Sequence, residues 1–261
     1  VKNLNLGKSA GENADSHLTV TTASAANSTC FCSPFCTIAF GNIENCKNYA
    51  NTTIALGGKL SINAGGITCG NHNTEKAVGH IIKCHNYGNI TLTDGKASAL
   101  VTTRLGGIIG RAVFNDITEC ENYGTIKLAT STTSGSSVAG ISGFVNACLK
   151  FENNKNYGSV VEDSNVAHTV AGLIGGVGNA VDAVYGAGCI VKCTVTTKSS
   201  SAQAGMVLGV GGTKAEATFG TSESPIKVSG SLNGTTINAS NVLATAKGST
   251  SSGIMNVVFG E

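Results

Sequence analysis

The chain has 261 residues, of which 41% are hydrophobic and 12% charged, and its formal net charge is +2. That is apolar enough to bury a sizeable core, and too nearly neutral, with no Lys/Arg run, for a nucleic-acid footprint. No apolar stretch approaches the ~20 residues of a membrane-spanning helix, and 35 glycines with 2 prolines and no tryptophan describe turns and short strands.

In chain order, residues 1–40 read as one or more atypical N-terminal turns of a repeat. Val1 is not an initiator methionine, so the chain is expected to be a mature or trimmed fragment. Leu18-Thr19-Val20-Thr21 alternates like a strand, and Cys30-Phe31-Cys32-Ser33-Pro34-Phe35-Cys36 follows. In a strand, Cys30 and Cys32 share one face. A zinc site would need Cys-x-x-Cys or paired histidines, and neither occurs. A local disulfide among Cys30, Cys32 and Cys36 is set against free thiols.

From residue 46 onward a tetrad recurs: Cys46-Lys47-Asn48-Tyr49-Ala50, Cys84-His85-Asn86-Tyr87-Gly88 and Cys120-Glu121-Asn122-Tyr123-Gly124, then Asn154-Lys155-Asn156-Tyr157-Gly158 without the thiol. The tyrosines are 38, 36 and 34 residues apart. Between the tetrads runs a second signature, a small residue, Gly and an aliphatic. It is found at Gly65-Gly66-Ile67, Gly106-Gly107-Ile108, Ala139-Gly140-Ile141, Ala171-Gly172-Leu173, Ala204-Gly205-Met206 and Ser252-Gly253-Ile254.

Self-similarity at this period means stacked units, each too small to bury its own apolar face. The fold class expected is all-β: one domain over 1–261, a parallel β-helix or solenoid of the right-handed kind. It would have six to seven rungs of ~36 residues, three strands to a rung. Residues 215–261 would form an atypical last rung with an insertion, because open sheet edges must be blunted. A β-sandwich suits strands every 8–12 residues but supplies no reason for the long period.

Stacking predicts inward columns: Ile67, Ile108, Ile141, Leu173 and Met206; Ile43, Ile81, Ile117, Phe151 and Ile190; Ile90, Ile126 and Val160; and a sulfur column of Cys46, Cys84, Cys120 and Cys193. In the turn, Gly88, Gly124 and Gly158 would supply positive φ, and Asn86, Asn122 and Asn156 a ladder of side-chain hydrogen bonds. Tyr49, Tyr87, Tyr123 and Tyr157 would line one edge, either covering a corner or forming a rail for sugar rings. Cys189 and Cys193 are a second candidate disulfide pair.

No catalytic, cofactor-binding or metal-binding set emerges. The histidines are scattered, and no nucleophile elbow exists. The nearest carboxylate pairs are Glu162-Asp163 and Glu119/Glu121, thin for glycoside hydrolysis. Five Asn-x-Ser/Thr sequons, at Asn27, Asn51, Asn89, Asn233 and Asn238, are no more than an Asn- and Thr-rich chain produces by chance.

The unit Gly107-Ile108-Ile109-Gly110, then Ile117-Thr118-Glu119-Cys120-Glu121-Asn122-Tyr123-Gly124-Thr125-Ile126, resembles the GLUG-type repeat and the Asn-Tyr-Gly repeats of gut Bacteroidetes surface proteins. The resemblance spans roughly 40–260. It implies an adhesin-like, extracellular or cell-surface module without catalytic residues. Its ligand would be a glycan or a cell-surface protein at the Tyr49/Tyr87/Tyr123/Tyr157 edge, or the rod would act as a stalk. A polysaccharide-degrading enzyme and an end-to-end filament are the alternatives.

Overall fold

The computed structural model describes residues 1–7, 17–21, 28–37, 41–55, 60–70, 79–93, 102–130, 136–148, 150–178, 183–211, 217–238 and 256–260. The chain winds into a β-solenoid of about 5 turns of ~35 residues, with partial coils at either end. One coil runs through five short strands, Gly79–Ile82, His85–Asn86, Ile90–Thr93, Thr103–Gly106 and Ile109–Val113, and the next begins at Asn115–Thr118. Equivalent strands pair in parallel from coil to coil. They build a first face through Ile81, a second through Asn86 and Ile90, a third through Leu105 and a fourth through Ile109.

Five strands replace the expected three because the bend at Gly107-Ile108 divides what reads as one strand into two, and because the Asn-Tyr-Gly turn opens with a two-residue strand of its own, His85–Asn86. The turns are fewer than six to seven because the N-terminal segment supplies only pieces. Asn5–Leu6 pairs with Lys47–Asn48, and Ser28–Cys32 with Leu60–Ala64.

The columns form, with three corrections near the C-terminal end. Ile43, Ile81, Ile117 and Phe151 stack in register, but Tyr185 and Phe219 continue them, not Ile190. Ile190 instead pairs with Lys155, and Cys189 therefore stands over Asn154. The thiol column is thus Cys46, Cys84, Cys120, Asn154 and Cys189, while Cys193 falls beside Gly158. Leu173 is followed by Val207, not Met206, because Ala171 pairs with Gly205 and Ile174 with Leu208. Ile90, Ile126 and Val160 stack as expected, with Val195 above them.

The asparagine ladder is fully buried. Asn48 Nδ2 donates to Asn86 Oδ1, Asn86 to Asn122 and Asn122 to Asn156, each at 2.8 Å. The remaining amide proton of each closes its own turn, on the carbonyl two residues ahead. These glycines do not have positive φ. Gly124 is glycine because a β-carbon there would collide with the Gly88 carbonyl of the coil below.

Positive φ sits instead on the residue before the thiol position: Asn45, Lys83, Glu119, Asn153 and Gly188, with φ of 51, 53, 55, 56 and 66°. This left-handed residue turns the first face into the second. The following thiol satisfies the corner: Cys84 Sγ donates to Ile82 O at 3.3 Å and Cys120 Sγ to Thr118 O at 3.4 Å. Asn154 replaces the thiol by donating to Ile117 O at 2.8 Å and accepting from Cys120 N at 2.9 Å.

The two sequence signatures meet across the core. A β-carbon at Gly66 or Gly107 would stand 2.5 Å from the carboxamide carbon of Asn86 or Asn122. Glycine on one wall thus makes room for the asparagine ladder on the other. In the fifth coil Val191 and Lys192 replace Asn and Tyr, and the corner straightens into one eight-residue strand, Ile190–Thr197. Ile226–Leu232 covers that strand. Thr235–Thr236 then folds back antiparallel, and Val257–Phe259 adds a last parallel strand. Ser252-Gly253-Ile254 lies outside the described residues. No described helix is long and apolar enough to cross a membrane.

Candidate functional site

The tyrosines stack at the edge where the second face bends. Ring centroids of Tyr49 and Tyr87 are 4.8 Å apart, of Tyr87 and Tyr123 4.9 Å, and of Tyr123 and Tyr157 5.1 Å, with interplanar angles of 6, 6 and 23°. The spacing is the inter-strand spacing itself. Faces this close cover one another, so Tyr87 and Tyr123 present only edges and hydroxyls to solvent. A sugar ring cannot lie flat along the stack. The stack ends below Tyr49 at Gly7, which has no side chain, and above Tyr157 at Lys192. The upper end borders a cleft of about 250 Å³ lined by Tyr157, Ile190, Lys192, Lys227, Ser229 and Gly260.

Beside the stack runs a groove of about 410 Å³ lined by Asn45, Lys83, His85, Glu119, Glu121, Asn153 and Lys155. Four of these seven are the left-handed corner residues, whose backbone throws their side chains outward. Glu121 is the hub. Lys155 Nζ lies 2.8 Å from its Oε1, the Tyr123 hydroxyl donates to Oε2 at 2.5 Å, and His85 Nδ1 is 3.3 Å from Oε2. Burial by itself would raise the Glu121 carboxyl. The hydrogen bonds from Lys155 and Tyr123 outweigh it and hold the group below the usual carboxylate range. Burial lowers the His85 pKa, only partly opposed by Glu121, and raises that of Tyr123, which also donates to the carboxylate. At neutral pH the groove therefore holds a neutral imidazole, a carboxylate and an ammonium beside protonated phenols. That set suits hydrogen bonding to hydroxyl-rich ligands.

The carboxylates do not converge. Glu162 and Asp163 lie on opposite sides of their strand. Glu162 is buried where Leu128 sits one coil below, and its Oε2 accepts from the Lys198 and Ser199 amides at 3.0 and 3.2 Å. Asp163 pairs outside with Lys127 at 2.9 Å. Among the described residues no three His, Cys, Asp or Glu side chains could hold a metal ion.

All ten cysteines are free thiols. Cys30 Sγ and Cys32 Sγ are 3.3 Å apart and share a hydrogen bond, and Cys36 bridges to Thr68 on the neighbouring coil. Cys189 lies just before the strand that holds Cys193, four residues or about 13 Å along extended chain, which no disulfide spans. Sequence reasoning missed the buried Glu162, which replaces an aliphatic, and the pairing of Arg104 with Phe144; the scarcity of arginine was the available signal.

No protein-family model, curated protein or solved structure matches this chain.

Proposed function

We propose that this chain is a non-catalytic, adhesin-like module of the cell surface: a stiff rod that spaces other parts of its protein and recognises a glycan or protein ligand along one edge. One observation carries this reading. Inward repetition is demanded by the fold, but the tyrosine edge repeats on the outside, in register with a polar groove. The outward column beside it, Thr19, Thr53, Thr91, Lys127 and Val161, keeps its residue type only through Thr91, whereas the tyrosines keep theirs through four successive coils.

The test is a glycan array and a cell-binding assay with the purified chain, followed by Tyr123→Ser, Glu121→Gln and Lys155→Ala. Binding that falls at least tenfold in these variants, with unchanged circular dichroism, supports the reading. Binding indifferent to all three, or none detectable, overturns recognition at this edge. A filament subunit is the second reading, supported by Val1 and Leu4, 59% and 51% exposed just before the first strand, Asn5–Leu6. Sedimentation that stays monomeric at rising concentration would remove it.

A further inference from the structure

The chain contains only two arginines, and the fold brings them to one place. Arg104 stands on the third face and Arg111 on the fourth face of the same coil, in the strands flanking the Gly107-Ile108 bend. The next coil sets Phe144 over Arg111. The Arg104 guanidinium lies 4.4 Å from the centroid of that ring. All three side chains are half-buried. The two faces approach closely because Gly143 has no side chain: a β-carbon there would stand 2.6 Å from Leu105 N and 2.9 Å from Arg104 C.

What is missing is a counter-charge. Lys2, Lys83, Lys127, Lys155 and Lys198 each have a carboxylate within 4 Å; neither arginine has one among the described residues, and unlike Lys150 and Lys227, which lack one but stand exposed in solvent, both arginines are half-buried. Arg111 Nε is buried without any hydrogen-bond partner. Burial lowers the Arg104 pKa to about 10, and the Arg111 charge adds to the effect. Two guanidiniums held together, one stacked on a ring and one with an unused donor, are poorly explained as packing. Repulsion and desolvation both disfavour the arrangement, and an anion between them would relieve both.

We propose that Arg104, Arg111 and Phe144 form an oxyanion-binding site that takes a carboxylate or sulfate group. The planar forks match two oxygens of such a group, and Phe144 holds one fork in place. The site lies on a different face from the tyrosine edge and does not depend on it.

Having two arginines makes the test direct: a ¹⁵N spectrum of the side-chain Nε–Hε groups contains two arginine signals. Sodium sulfate and sodium galacturonate are titrated against sodium chloride at equal ionic strength. Both signals are expected to shift saturably with at least one of the two anions and not with chloride. Saturation by sulfate alone assigns a tetrahedral group, and by galacturonate a carboxylate. Arg111→Lys and Arg104→Lys keep the charge but lose the fork, and each should weaken binding at least tenfold, the surviving arginine signal reporting that the coil is intact. Signals that do not move, that move equally with chloride, or that saturate unchanged in both lysine variants would overturn the site.

Discussion

Replacing Asn122 by alanine tests the asparagine ladder at its centre. Its carboxamide donates to Asn156 Oδ1 at 2.8 Å and to Gly124 O at 2.9 Å, and accepts from Asn86 Nδ2 at 2.8 Å. Three buried hydrogen bonds at a net ~1 kcal/mol each give about 3 kcal/mol, and stranding one Asn86 amide proton adds about 1–2 kcal/mol. A loss of about 4–5 kcal/mol is a large part of the ~5–15 kcal/mol by which domains are stable. Asn48→Ala tests the foot of the ladder, where Asn48 is paired in register with Leu6. Asn48 donates to Asn86 Oδ1 and to Ala50 O and accepts from Ala50 N at 3.0 Å, so its loss also removes three hydrogen bonds and strands one buried amide, at a similar cost of about 4–5 kcal/mol. Guanidinium unfolding followed by circular dichroism reads both. If either variant loses under about 1 kcal/mol, the ladder is not what holds the coils in register.

Further outcomes follow from the same geometry. Gly124→Ala drives a β-carbon into the Gly88 carbonyl and should unfold or misregister the coil. Gly41→Ala meets nothing within 4 Å and should be neutral or slightly stabilising in the same assay. Cys30, brought down to about pKa 7 by the hydrogen bond from Cys32, should carry the fastest reaction with a thiol reagent at neutral pH; a fast phase that persists in Cys30→Ser refutes this. His85 has a folded pKa below the ordinary 6.5, so the unfolded chain binds more protons as pH falls through that value. Stability should therefore decline on acidification through pH 6.5 and decline less in His85→Gln, as pH-dependent melts would report. The lowered Glu121 carboxyl acts in the same direction: its contribution is present above the unfolded carboxylate range and lost as pH falls through the folded pKa. Glu121→Gln should flatten the lower part of that acid limb.

Much of the fold was legible before any coordinates. A period of 34–38 residues with Asn and Tyr in constant phase requires like residues to meet from coil to coil, and the Asn and Tyr columns do. The sequence loses its phase where the marker lapses. Beyond Tyr157 no Asn-Tyr-Gly remains, so Ile190, Cys193 and Met206 were assigned by counting, and the register lies elsewhere. Of the candidate site, the tyrosine edge was legible and its chemistry was not: recurrence predicts stacked rings, but not that stacking hides their faces.

A repeating sequence specifies who lies above whom, because a parallel ladder carries each residue onto its equivalent with one fixed rise. By itself it therefore determined the solenoid, its period and its longitudinal columns. Who lies across from whom depends on how sharply each corner bends. Those corners are set by left-handed residues as different as Asn45, Lys83, Glu119 and Gly188, which share a conformation and a place before the thiol column but no residue type. Only the tertiary structure decided that the glycine signature faces the asparagine ladder, that the groove gathers around Glu121, and that two arginines seven residues apart converge on Phe144.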